Sequence, residues 1–146
     1  MYLTDFENTI SVYKSMDLHL WKKEGTALRI WKGFPKSINS SCESPFVFKH
    51  NGFYILLTTI VPSGNKKYYN NTIAFCSKNP LDFGYYCSEK PTANIIGYID
   101  AHASEIIFLK NRYYITTCGW KGYPKPCGIT DEGVFYMRGS INEIEK

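Results

Sequence analysis

A hairpin pattern occurs twice in this chain. Cys42-Glu43-Ser44-Pro45 stands directly before an apolar run, Phe46-Val47-Phe48, a glycine turn at Gly52 and a second run, Phe53-Tyr54-Ile55-Leu56-Leu57. Short aromatic and β-branched runs on either side of a turn read as paired strands, here with a carboxylate at their mouth. About 59 residues later the layout returns as His102-Ala103-Ser104-Glu105-Ile106-Ile107-Phe108-Leu109, followed by Lys110-Asn111 and Arg112-Tyr113-Tyr114-Ile115-Thr116. The offset lays Glu43 over His102, Tyr54 over Tyr113 and Thr58 over Thr117. Few residues are identical, but the pattern repeats.

A third strand repeats with it. Asn71-Thr72-Ile73-Ala74-Phe75 follows the Glu43 hairpin, Asn8-Thr9-Ile10-Ser11-Val12-Tyr13 lies one period earlier, and Gly133-Val134-Phe135-Tyr136 one period later. The chain therefore holds about two and a half copies. The period slightly exceeds the roughly 40 to 50 residues of four-stranded propeller blades, as long outer loops would make it. Helical solenoids are excluded, because no window keeps apolar residues at helical spacing over three turns. The expected fold is all-β, a propeller with about two and a half blades of antiparallel strands, divided as 1–33 (outer strands of one blade), 34–91 (the blade with Glu43) and 92–146 (the blade with His102).

The 146 residues have room for one domain with a real core, and 16% aromatic content is more than a disordered chain carries. No apolar run approaches the roughly 18 residues of a membrane span, and Met1-Tyr2-Leu3-Thr4-Asp5-Phe6-Glu7 has neither the basic flank nor the apolar stretch of a signal peptide. The net charge of +4 is mild and the lysines are scattered, which argues against a nucleic-acid partner. Five cysteines without a C-x-x-C pair do not form a disulfide framework in a chain of this size. They read as buried thiols in a reducing, cytoplasmic setting, although Cys118 and Cys127 bracket a Gly/Pro-rich loop and could pair in an oxidising one.

Gly25, Gly33-Phe34-Pro35, Ser63-Gly64-Asn65, Asn79-Pro80, Lys90-Pro91 and Tyr123-Pro124-Lys125-Pro126 punctuate the strands. Residues 62–71 and 119–131 are the long loops, where binding residues tend to lie.

Three segments carry a family resemblance. Ser15-Met16-Asp17-Leu18-His19-Leu20-Trp21, with Gly25 and Leu28 behind it, resembles an "S-x-D-L-x-x-W…G…L" blade ending. Glu43-Ser44-Pro45 is similar to an "E-G-P" or "E-C-P" motif, with serine in place of the usual small residue, and Ala101-His102-Ala103-Ser104-Glu105-Ile106 is similar to an "H-A-x-E-I" strand. In this order, over nearly the whole chain, they resemble the five-bladed propellers of glycoside hydrolase families 43 and 32, the arabinanase, xylosidase and fructosidase superfamily. The resemblance implies a glycosidase acting on furanose- or pentose-containing glycans, with carbohydrate as the partner, no organic cofactor and room for a calcium ion on the central axis. Complete members are about twice as long, and their aspartate base or nucleophile stands on a first strand that would precede Met1. Tyr2-Leu3-Thr4 looks like the second strand of that blade, so the expectation is an internal fragment, a truncated reading frame or half of an assembly.

Glycosidic cleavage needs a carboxylic acid to protonate the departing oxygen and a second carboxylate to activate water or attack the anomeric carbon. The resemblance gives Glu43 the first role. The first residues of a blade's innermost strand look into the funnel, so Glu43 and His102 should face one cavity from neighbouring blades, with His102 a water-holder, a ligand or a partner to the acid. The plainer readings are a solvated Glu43 at a strand end and a hydrogen-bonded structural histidine. Alternation puts Asp100 with His102 on one face of the strand and Glu105 on the other, between blades, unless a bulge intervenes. Trp120 and Tyr123 could stack on a sugar ring or anchor their loop; Trp21 and Trp31 look like packing residues, and His19 and His50 lie in turns.

A Cys42–His102 nucleophile lacks an orienting third group, no His or Cys pair has zinc spacing, and no Gly-rich phosphate loop is present. The competing function is a non-catalytic sugar-binding or interaction propeller. Phe46, Val47, Phe48, Tyr54, Ile55, Ile106, Ile107, Tyr113 and Tyr114 are expected to be mostly buried between blades, and the end faces of the arc to drive self-association.

Overall fold

The run Ile55-Leu56-Leu57-Thr58-Thr59-Ile60 is buried on both of its faces, the mark of a strand inside a stack of sheets. The computed structural model describes residues 1–5, 9–31, 41–61, 72–87, 91–99, 101–110, 112–118 and 134–139. Within them the regular elements are all strands: β1 Tyr2–Thr4, β2 Thr9–Lys14, β3 Lys22–Trp31, β4 Ser41–His50, β5 Phe53–Val61, β6 Thr72–Ser77, β7 Gly84–Cys87, β8 Asn94–Ile99, β9 His102–Leu109, β10 Arg112–Cys118 and β11 Val134–Gly139. They form three sheets, ordered β1-β2-β3-β7, β4-β5-β6-β8 and β9-β10-β11, none closed on itself. Every pairing is antiparallel except β3 with β7, which run parallel.

Both repeated hairpins form. His50 pairs with Phe53 across Asn51 and Gly52, at φ 45° and 80°, the positive angles a tight two-residue hairpin turn requires. Leu109 pairs with Arg112, and Lys110 takes φ 49° in the place of Asn51. Thr72, Thr9 and Val134 each open a strand that pairs with the second strand of its unit or, for Thr9, with β1.

The second sheet has a core on each side. Ile10, Val12, Ala27, Leu28 and Ile30 meet Cys42, Leu56, Ile60, Ile73 and Phe75 between the first and second sheets. On the other side Ile55, Leu57 and Ala74 pack with Phe46, Phe48, Ile96, Ile99 and Ile106, the last from the third sheet. Each fully buried Leu, Ile or Phe contributes about 1.5–3 kcal/mol through removal of apolar surface from water.

Between β6 and β8 the chain detours to the first sheet. Phe83 enters the first core and its N–H donates to Ala27 O, after which β7 pairs with β3 at Leu28↔Gly84, Arg29↔Tyr85 and Trp31↔Cys87. The return is tied down at Tyr85, whose O accepts from Thr92 N and Ala93 N, both at 3.0 Å. Gly84 sits at φ 86°, and a Cβ there would meet Thr92 Oγ1 at 2.7 Å and Ala93 N at 2.9 Å, so the turn admits only glycine.

Two expectations change. The division at 91/92 assigned residues 94–99 to the His102 unit, whereas β8 completes the sheet of Glu43 and β7 joins the first sheet. Of the nine residues expected to be mostly buried, Ile55 is; Phe46, Val47, Phe48, Tyr54, Ile106, Tyr113 and Tyr114 are half-buried and Ile107 is exposed. Among the described residues the third sheet is covered by the second on one face only, and β4 borders its sheet at one edge. Most of the deeply buried side chains therefore belong to β2, β3, β5 and β6, with Cys42 of β4 and Ser104 of β9 beside them.

Candidate functional site

Glu43 and His102 start the same kind of strand with the same kind of defect. On β4 the ladder to β5 breaks between Glu43 and Phe46; on β9 the ladder to β10 breaks between Glu105 and His102. Ser44 (φ 53°) and Ala103 (φ 51°), the next residues in each strand, adopt left-handed backbone without being glycine. Such a conformation costs about 1–2 kcal/mol in an L-residue and is found where a bulge re-aims side chains.

The face each residue takes follows from register. Glu43 stands opposite Thr59, and Thr59 reaches the third sheet, its Oγ1 accepting from Ala103 N at 3.0 Å. Cys42 stands opposite Ile60 and faces the first core. Glu43 is thus turned toward β9, where His102 Nε2 lies 3.7 Å from its Oε2, an ion pair whenever the imidazole is protonated. The carboxylate side chain is 38% exposed and the imidazole 9%. A reachable acid backed by a mostly buried ring can transfer a proton to a ligand while the ring fixes its direction. Thr58 Oγ1, fully buried, donates to Glu43 O at 2.8 Å and fixes the peptide behind the acid.

The remaining expected residues fall elsewhere. Glu105 is exposed on the face of β9 opposite Ile106, away from the second sheet. Asp100, Trp120 and Tyr123 lie outside the described residues. Trp21 is partly exposed, its Nε1 donating to Leu18 O, and nothing is described of the Trp31 side chain. The Ser15-x-Asp17-Leu18 segment is a turn: Asp17 Oδ1 accepts from Leu20 N and His19 N, both at 2.9 Å, and from Ser15 Oγ at 3.0 Å. Those bonds lower the Asp17 pKa, the backbone N–H of Leu20 foremost, and Leu18 takes φ 64° beside them. That motif shapes the β2–β3 connection. A cleft of about 390 Å³ beside it, bordered by Asp17 and Glu24, includes neither Glu43 nor His102.

Cys42 is not the nucleophile that its place beside Glu43 would allow. Its thiol is fully buried in the first core, and burial, with the charges of Asp5 and Glu43 added, pushes its pKa up to about 12, leaving no thiolate at neutral pH. Among the described residues no group of three or more His, Cys, Asp and Glu side chains converges on a metal position.

Two groups were not anticipated. Asp5 accepts hydrogen bonds from Ser11 Oγ at 2.5 Å, Thr9 Oγ1 at 2.8 Å, Thr9 N at 3.3 Å and Lys23 Nζ at 3.1 Å. Partial burial alone would raise its pKa; the bonds from Ser11, Thr9 and Lys23 outweigh that and hold the carboxyl well below the usual carboxylate range. Matching Asn8-Thr9-Ile10 to Asn71-Thr72-Ile73 and counting back one strand would have placed Asp5 at the level of Thr59. His50 is the other: its Nδ1 lies 3.2 Å from Tyr113 Oη with the rings edge to face, joining the two hairpins, and its buried Nε2 has no partner among the described residues.

Comparison with family models, with curated proteins and with solved structures gave no match.

Proposed function

We propose that the chain is part of a five-bladed β-propeller glycoside hydrolase that cleaves furanose- or pentose-containing glycans, with Glu43 as general acid and His102 beside it in the funnel. The observation that carries this reading is the 3.7 Å approach of Glu43 and His102 from equivalent bulged strands of neighbouring sheets. Support also comes from the strand order: β4-β5-β6-β8 is a four-stranded antiparallel sheet in blade order, and β9-β10-β11 repeats its first three strands. Protonation of a glycosidic oxygen needs one carboxyl that is accessible yet held in place, and Glu43 meets both conditions through its partial exposure and the Thr58 bond behind it.

The second carboxylate of such a reaction is unassigned. Asp5, whose charge acts on Cys42 as that of Glu43 does, is tied to Ser11, Thr9 and Lys23. That engagement favours a second reading, a non-catalytic carbohydrate-binding or interaction propeller. The test is release of sugar from arabinan, xylan and fructan by the chain and its Glu43→Gln variant. Turnover that falls by about 100- to 10,000-fold in Glu43→Gln supports the hydrolase. Glycan binding without turnover supports the second reading. Turnover undiminished in Glu43→Gln overturns the role of Glu43.

A further inference from the structure

The bulge that presents His102 is held by hydroxyl groups of the neighbouring sheet. Ala103 and Ser104 have no partner on β10, because the ladder passes from Thr116↔Glu105 to Cys118↔His102 without them. Their amides are bound from the second sheet instead: Ala103 N donates to Thr59 Oγ1 at 3.0 Å and Ser104 N to Thr72 Oγ1 at 3.3 Å. Thr72 Oγ1 donates to Ala101 O at 2.7 Å, and it lies 3.1 Å from Ser104 Oγ and 3.5 Å from Thr59 Oγ1. Thr59, Thr72 and Ser104 are fully buried. Water does not replace these contacts, and each buried polar group depends on the others.

We propose that Thr72, together with Thr59, is a positioning residue: the two hydroxyls hold the Ala101–Ser104 turn in its left-handed form and so set the distance from His102 to Glu43. Thr72 takes both sides of the bulge, the carbonyl before His102 and the amide two residues after it, so the ring is fixed from its own backbone. Thr59 stands opposite Glu43 on β5 and links the two strands directly. Only hydroxyl chemistry fits, because the bulge presents a carbonyl acceptor and amide donors to one point, and a threonine oxygen serves both. In the first sheet Asp5 and Thr9, one position beyond the Thr4↔Ile10 pair, occupy the level of Thr59 and Thr72, and there Asp5 binds Thr9, Ser11 and Lys23.

That Glu43 and His102 act on a ligand rests on the reading under "Proposed function"; the clasp does not, and its test needs no substrate. In the labelled full chain at fixed pH, the change in His102 ring chemical shifts on Glu43→Gln reports the pair. Thr72→Val keeps the shape and removes the hydroxyl. It is expected to cut that change by half or more and to speed exchange of the Ser104 amide by about tenfold, the loss of one net hydrogen bond. Thr72→Ser is expected to retain both. A full His102 response and a protected Ser104 amide in Thr72→Val overturn the proposal, as does equal loss in Thr72→Ser, which would make packing the cause. Should Thr72→Val fail to fold, the unmodified chain decides. Ala103 and Ser104 amides are expected to exchange at least about 100-fold more slowly than in an unstructured chain, and exchange at the unstructured rate overturns the clasp. No response of His102 to Glu43→Gln in the unmodified chain would count against the functional pair while leaving the exchange result to judge the clasp.

Discussion

Glu43 Oε2 and His102 Nε2 stand 3.7 Å apart although about 59 residues separate them, and each is followed by a left-handed non-glycine residue, Ser44 or Ala103. The contact is a consequence of two copies of one strand design facing each other. A partly exposed ion pair of this length contributes less than about 1 kcal/mol to stability. Glu43→Gln is therefore expected to leave the urea midpoint almost unchanged, even as it removes any turnover the chain has. A loss above about 2 kcal/mol in Glu43→Gln would mean that the pair is structural.

Phe75 is fully buried in the first core and meets Tyr86 edge to face at 5.6 Å, linking β6 to the β7 detour. Phe75→Ala is expected to cost about 3–5 kcal/mol, a large share of the stability of an ordinary domain. Equilibrium unfolding in urea measures it, and a cost below about 1 kcal/mol would show that the first and second sheets do not depend on this core.

The strands that carry the repeat were legible because their residues alternate or run apolar between turn formers: Phe46 to Phe48, Tyr54 to Leu57 and Thr72 to Phe75 all lie in strands. The approach of Glu43 to His102 was legible for the same reason, since an offset that aligns strands also aligns what stands at their mouths. The β7 detour was not, because Gly84 to Cys87 pairs in parallel with a strand more than fifty residues earlier and no local pattern encodes a distant partner. Nor were the bulges: Ser44 and Ala103 are not residues that announce positive φ, and the backbone there follows from contacts with another sheet. Apolarity located the strands of Phe46, Val47 and Ile107, but burial depends on how many sheets cover each face.

Gly84 and Gly25 make a matched pair for the detour. A Cβ at Gly84 would meet Thr92 and Ala93 at 2.7–2.9 Å in left-handed backbone, whereas Gly25 has nothing within 4 Å. Gly84→Ala is expected to destabilise by more than about 2 kcal/mol, backbone strain and collision together. Gly25→Ala is expected to change stability by less than about 1 kcal/mol, toward greater stability through the stiffer unfolded chain. Thermal unfolding of the two variants compares them, and equal midpoints would contradict the packing of residues 92–93 on Gly84.

Asp5 makes stability fall in acid. Its folded-state pKa lies below its unfolded value, so the folded chain binds fewer protons there, and the stabilisation is complete above about pH 4 to 5 and lost as the pH drops toward the folded value. Asp5→Asn is expected to be less stable than the parent at pH 7 and to show a flatter decline between about pH 5 and 2. Urea midpoints across that range measure the difference, and parallel curves for the two chains would remove Asp5 as an acid-sensitive anchor.

Ile107, Phe108 and Leu109 of β9 are all exposed, while Ile106 packs on the second sheet. Alternation puts Ile107 and Leu109 on the face of β9 opposite Ile106, away from the second sheet. An apolar strip of this kind on a sheet surface draws partners, and the proposed propeller would cover it with a further blade. The chain as it stands is expected to self-associate at high concentration. Static light scattering should give a mass that rises with concentration, and the double substitution Ile107→Lys and Leu109→Glu should lower that rise while leaving the strand content by circular dichroism unchanged. Phe108 is left in place because its ring packs on Tyr113 with centroids 4.7 Å apart. A monomer mass held constant for the parent chain would show that the exposed strip of β9 drives no association, and a rise that persists in the double variant would place the contact on another surface.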